Sequence, residues 1–162
     1  MVSTLLRLVL AVGLCPLAPA ATIIVVRHAE RNAGMSADVL LNAKGEERAK
    51  QLAALLKDAN LKAIFTTEVK RTQQTAEPAA QQFHLQPVVI PAADVDTLIS
   101  RLKELPNDDT VLVVGHSNTV PLVIQKLGGT AAPLGENEYD RLTIVVTHGS
   151  QKPSVLVLRY GN

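Results

Sequence analysis

The chain has 162 residues, of which 47% are hydrophobic and 19% charged, with a formal net charge of +1. These are the proportions of one globular domain with a sizeable core. Aromatic residues make up only 2% and Trp is absent, so the core must be aliphatic and stacking platforms for single-stranded nucleic acid are lacking. With no basic tract to meet a polyanion, no nucleic-acid partner is expected.

The first twenty residues, MVSTLLRLVLAVGLCPLAPA, carry one positive charge at Arg7 and then an uncharged apolar run from Leu8 to Leu14. Pro16 and Pro19 break the run, and Ala18-Pro19-Ala20 places small residues where a signal peptidase reads. The run is too short for a membrane span, which needs about 20 apolar residues. The expectation is a signal peptide over 1–20, cleaved after Ala20, and a single exported domain over 21–162 that is periplasmic or secreted. Cleavage would remove Arg7 and the only cysteine, Cys15, so packing rather than disulfides would hold the domain. Lipidation of Cys15 is the alternative; Leu14 before it is bulkier than such signals usually carry.

Thr22–Val26 is β-branched and continuously apolar, the pattern of a strand covered on both faces. A helix opens at Leu41-Asn42, with Ala49, Leu52, Ala53, Leu55 and Leu56 on its apolar stripe and Glu46, Glu47, Arg48 and Lys50 outward. Asn60 closes it. The strand LKAIFTT follows, then the helix RTQQTAEPAAQQF, which Pro78 should bend or interrupt. QPVVIP is short and extended. Asp94 to Leu105 forms a third helix, and DTVLVVGHSN a strand that stops at polar residues. A helix from about Thr119 to Leu127 ends at Gly128-Gly129, and RLTIVVTHGSQKPSVLVLRY reads as a terminal hairpin. This alternation predicts an α/β fold, three layers with a mostly parallel central sheet and an antiparallel C-terminal hairpin.

Ligands of such sheets bind beyond the carboxyl ends of the strands. Three strand ends carry chemistry: Arg27-His28, Thr66-Thr67 with Arg71 behind, and Gly115-His116-Ser117-Asn118. If these strands are parallel neighbours, Arg27, Arg31, Arg71, His28 and His116 meet in one pocket. Three guanidiniums repel one another unless an anion sits between them, and Arg matches phosphate bidentately. An imidazole among fixed cations stays neutral and keeps a lone pair for attack. His28 is therefore the candidate nucleophile, taking a phosphoryl group as phosphohistidine. Arg27, Arg31, Arg71 and His116 would bind the phosphoryl oxygens, and Thr66 or Thr67 and helix-start amides would add hydrogen bonds.

The stretches VVRHAER, FTTEVKRTQQTAEP and VLVVGHSN, in that order, resemble the histidine phosphatase superfamily, in its phosphoglycerate mutase-like branch, and its compact bacterial phosphohistidine phosphatases. The resemblance runs from about Thr22 to Leu127, with Ala29 where the family carries Gly. It implies covalent phosphohistidine catalysis on His28, with Arg71 and His116 matching the family's second Arg and second His, and Arg31 similar to a further phosphate-contacting Arg. It implies no metal and no organic cofactor, and a phosphorylated small molecule or phosphoprotein as substrate.

Family members that cleave alkyl phosphates protonate the leaving oxygen with a carboxylic acid. Asp94 is the first candidate here, and equally a helix N-cap. Glu30 is the second, and equally a partner that orients Arg27 or Arg31. His84 and His148 read as capping or solvated side chains, and KGEERAK as a solvated helix face. Ser117 lacks the second glycine of a nucleophile elbow. The alternatives to a phosphatase are a phosphoglycerate mutase-type phosphotransferase, which would need a longer substrate-enclosing insertion, and a non-catalytic phospho-ligand binding module.

Overall fold

The computed structural model describes residues 20–34, 36 and 38–161. The expected leader, Cys15 included, lies outside them apart from Ala20. Six strands form one sheet: β1 (Thr22–Arg27), β2 (Leu61–Thr66), β3 (Val88–Val89), β4 (Thr110–Gly115), β5 (Arg141–His148) and β6 (Gln151–Arg159). Their order is β3-β2-β4-β1-β5-β6. The first four run parallel, β5 runs antiparallel to β1, and β6 runs antiparallel to β5. The α/β architecture, with its mostly parallel sheet and terminal hairpin, is as the sequence indicates. Among the described residues no helix is long and apolar enough to cross a membrane.

Burial on both faces follows from the unbroken apolar runs of β1 and β4. Ile24, Val26, Leu112 and Val114 pack with Leu52, Ala76 and Ala79, from α1 (Ala43–Leu55) and α2 (Lys70–Phe83). Ile23, Val25, Val111 and Val113 face the other way, onto Ile99, Leu102, Val123 and Ile124, from α3 (Val95–Lys103) and α4 (Thr119–Lys126). Alternate side chains of one strand thus feed two cores, giving the three layers.

The helix ends follow local chemistry. Asn42 caps α1 by accepting from Gly45 N at 2.9 Å, and Asp94 caps α3 by accepting from Thr97 N at 3.2 Å, both as Asx caps do. After α4, Gly128 takes φ of +90°, and the amides of Gly128 and Gly129 return to the carbonyls of Gln125 and Ile124. His84 closes α2 in the left-handed region at φ 53°.

Two expectations are corrected. Pro78 does not interrupt α2, which is continuous from Lys70 to Phe83. Proline removes one backbone bond, while Thr75, Ala76, Ala79 and Ala80 on either side are buried, and that packing holds the helix through it. Arg48 is not on a solvated face. It is buried on the same stripe as Gly45, Ala49, Leu52 and Ala53.

Candidate active site

The carboxyl ends of three adjacent parallel strands, β2, β4 and β1, converge as their order requires. Arg27 is the partner of Gly115 across the β1–β4 ladder, and His28 N donates to the Gly115 carbonyl at 2.9 Å. That register sets His28 beside His116, with ring centroids 5.4 Å apart and ring planes at 63°. Arg71 enters from the first turn of α2, and its Nη2 lies 3.5 Å from His116 Nδ1. The structure therefore brings together four of the expected residues: Arg27, His28, Arg71 and His116.

The two imidazoles are held differently. His28 Nδ1 sits 2.8 Å from the Ala29 carbonyl, an acceptor only, so this nitrogen carries the proton and Nε2 keeps its lone pair. Burial, then the charges of Arg71, Arg27 and His116, push His28 down to about 3, although the Ala29 carbonyl favours the proton. Cations do keep the imidazole neutral, as the sequence suggested, but burial is the larger cause. His116 Nε2 is 3.0 Å from Thr67 Oγ1. Because the guanidinium of Arg71 can only donate, Nδ1 of His116 is the accepting nitrogen and Nε2–H donates to Thr67. Burial first, then Arg71, lower His116 to about 4, with Glu68 opposing and Arg27 contributing.

The backbone around these groups is fixed by short side chains. Thr119 Oγ1 accepts from His116 N at 2.8 Å, and a Cβ on Gly115 would meet that oxygen at 2.8 Å. Thr75 Oγ1 accepts from Ala29 N at 2.9 Å. The Ala29 methyl is fully buried with Leu41 and Ala49, so the Ala in place of Gly is accommodated by packing, and φ stays negative there.

The guanidiniums crowd one another. Arg31 depresses both Arg27 and Arg71, and Arg27 depresses Arg71, after burial has done the most. Arg27 Nη1 donates to the carbonyls of Gly135, Glu136 and Glu138 at 2.9, 2.7 and 3.3 Å. Its Nε, and Thr66 Oγ1, are buried without a hydrogen-bond partner among the described residues. Buried donors left open cost stability until an acceptor arrives. Arg31 stands at the rim, its Nη1 donating to Asn32 and Gly34 carbonyls.

Glu30 orients neither Arg27 nor Arg31. Its two oxygens accept from Arg48 Nε and Nη2, each at 2.8 Å, and Lys44 Nζ lies 3.2 Å away. Burial alone would raise its pKa, but the Arg48 hydrogen bonds and charge and the Lys44 bond outweigh it and hold the carboxyl at about 2. Arg48 also donates to the Tyr160 and Gly161 carbonyls. Asp94 is exposed and occupied with its cap; it lines a cleft with Thr66, Thr67 and Gly115.

Sequence reasoning missed two residues. Arg48 was readable, since Gly45, Ala49 and Leu52 place it on the buried stripe. Tyr139 was not, because it lies in the aperiodic stretch before β5. Its ring stacks under Arg27, 4.2 Å from Cζ to centroid, and stands 5.9 Å from the His28 ring.

Fold and site together give an α/β protein with two histidines and two arginines gathered at the carboxyl edge of its sheet. The model of the histidine phosphatase superfamily (branch 1) matches residues 23–94. The chain carries the histidine phosphatase pattern over that stretch, which holds Arg27, His28 and Arg71, and the histidine phosphatase fold as a whole. It is similar to the protein histidine phosphatase SixA complexed with tungstate, at 19% identity and a TM-score of 0.71, covering 85% of this chain and 96% of that one. It is also similar to the alpha-ribazole phosphatase from Shigella flexneri (18%, 0.66, 87% and 96%). A third likeness is the mycobacterial glucosyl-3-phosphoglycerate phosphatase (15%, 0.62, 88% and 99%). No curated protein matches the chain in sequence.

Proposed function

We propose that the protein is an exported phosphatase that hydrolyses phosphomonoesters or phosphoramidates through a phosphohistidine on His28. The observation that carries this reading is the His28 tautomer. The Nδ1–Ala29 bond leaves Nε2 as a free lone pair, buried among Arg27, Arg71 and His116, where an anion is wanted and a proton is not.

In the first half-reaction Nε2 attacks phosphorus in line with the leaving oxygen, while Arg27, Arg71 and the Thr66 hydroxyl hold the equatorial oxygens. Arg31 adds charge from the rim. The incoming dianion favours protonation of His116, which then donates from Nδ1. In the second half-reaction water attacks phosphorus and His28 leaves. The guanidiniums supply the positive charge that phosphoryl transfer needs, so no metal enters this scheme. The similar structures support the substrate class, since the phosphatases named above act on a protein histidine phosphate, an alpha-ribazole phosphate or a glucosyl phosphoglycerate.

Export rests on the leader. β1 begins at Thr22, so cleavage after Ala20 removes no strand residue, and Ala21 N stays tied to Thr147 Oγ1 at 3.1 Å.

The test is a rapid quench with substrate carrying labelled phosphate. The expected result is an acid-labile, base-stable label on the wild type that is missing from His28→Ala. Full turnover by His28→Ala would sink the mechanism.

A further inference from the structure

We propose that Tyr139 is the proton donor to the leaving group, an inference that rests on the phosphatase reading above. The phosphoenzyme step expels an oxygen anion, and for an alkyl ester that anion needs a proton as it departs. Glu30 faces Arg48 and Lys44 instead of the nucleophile. Glu138 is held by Arg141 and Arg159, and Asp94 caps α3 from an exposed position. The acidic side chain whose ring borders both the nucleophile and a phosphate-side guanidinium is the phenol of Tyr139.

Distance and charge support the assignment. With Nε2 poised at a near-attack separation of about 3 Å from phosphorus, the leaving oxygen lies on the order of 5 Å from that nitrogen. The Tyr139 ring stands 5.9 Å from the His28 ring, so this side chain borders the space a leaving group at that distance would occupy. The Arg27 guanidinium lies over the Tyr139 ring, 4.2 Å from Cζ to centroid, so a fixed positive charge faces this side of the pocket.

The residue is also pre-positioned. Arg27 pins the carbonyls of Gly135, Glu136 and Glu138 immediately before it. The Glu138 carboxylate closes the same turn by accepting from Gly135 N at 3.1 Å and from Arg141 Nε and Nη2 at 2.8 and 2.9 Å. A donor on so tightly tied a loop needs little reorganisation at the moment of reaction.

The proton account closes. The Nε2 lone pair forms the N–P bond, and the P–O pair leaves on the ester oxygen, which takes the Tyr139 proton and departs as the alcohol. The phenolate then takes a proton from the attacking water as its oxygen bonds to phosphorus. The N–P pair returns to His28, and phosphate leaves.

The experiment compares kcat/KM for methyl, phenyl and p-nitrophenyl phosphate in wild type, Tyr139→Phe and Asp94→Asn. Tyr139→Phe keeps the ring and its stacking, so a purely structural role predicts one factor for all three esters. The expected result is a loss of about 100-fold or more on methyl phosphate and within about threefold of wild type on p-nitrophenyl phosphate, as removal of a general acid predicts. A uniform loss, no loss, or the same leaving-group dependence in Asp94→Asn overturns the assignment. If Tyr139→Phe does not fold, the wild-type dependence on leaving-group acidity decides, a shallow slope supporting a donor and a steep one overturning it. Turnover retained by His28→Ala, or none by the wild type on any ester, overturns the phosphatase reading itself.

Discussion

Glu30 and Arg48 meet through two parallel hydrogen bonds of 2.8 Å, Nε to Oε2 and Nη2 to Oε1, the fork geometry that makes arginine–carboxylate pairs strong and directional. The pair anchors α1 to the segment that leaves β1 two residues after His28. Breaking it strands a buried guanidinium. Glu30→Gln should therefore lower unfolding stability by about 3 kcal/mol, the low end for a broken buried pair because Lys44 is exposed. It should do so without a loss confined to poor leaving groups. Urea unfolding checks the first part; leaving-group dependence like that expected of Tyr139→Phe would show that Glu30 acts as an acid.

Gly45 makes a second prediction about the same contact. A Cβ there would fall 2.0 Å from the Glu30 carbonyl oxygen. The clash is with backbone, which cannot swing aside, so α1 or the loop after His28 must move. Gly45→Ala should cost at least about 1–3 kcal/mol, as overpacking does, despite alanine's better helix propensity. Stability unchanged or raised would show that α1 can retreat freely.

Acid sensitivity follows from the two buried imidazoles. In the folded chain His28 and His116 are held at about 3 and about 4, below the ordinary 6.5. The unfolded chain regains the ordinary value and binds protons that the folded chain refuses. Their contribution to stability is therefore fully present above pH 6.5 and is lost as pH falls toward about 3. Glu30, lowered from 4.5 to about 2, adds its own loss only below 4.5, which leaves the window from 6.5 to 4.5 to the histidines. Urea midpoints should fall across that window in wild type and much less in the His28→Gln, His116→Gln double variant. Equal slopes would assign the effect elsewhere.

Arg71 tests the pocket directly. Arg71→Ala removes a donor to the transferring group and should lower kcat/KM by about 10²–10³, as loss of an oxyanion-stabilising donor does. Arg71→Lys should recover only part, since an ammonium lacks the planar fork. Both variants should also bind inorganic phosphate more weakly by calorimetry; wild-type affinity in Arg71→Ala would place the anion elsewhere.

Export has its own check. Protein recovered from its native cell envelope or medium should begin at Ala21. Intact Met1, or a lipid-modified Cys15, would replace that reading.

What the sequence conveyed was whatever depends on neighbours in the chain. β-branched runs ending at Arg27 and Gly115 announced strands, Asp94 announced a cap, and Gly128-Gly129 a helix stop, because each acts within a few residues. Arg48 and Tyr139 escaped because distance in sequence separates them from what defines them. Arg48 reads as part of a hydrated KGEERAK face until Glu30 and the Tyr160 and Gly161 carbonyls surround it. Tyr139 belongs to a loop without periodicity, and only the reach of Arg27 across the fold gives it a position. At Pro78 interruption of the helix, one of the two outcomes proline allows, yielded to packing.

The Arg48 contacts also impose an order in time. The arginine that braces the loop after His28 is itself completed by the carbonyls of Tyr160 and Gly161, 112 and 113 residues further along. A nascent chain that has not yet reached β6 thus carries His28 without its finished surroundings. Catalysis would begin only once that later segment has been made and has docked against α1.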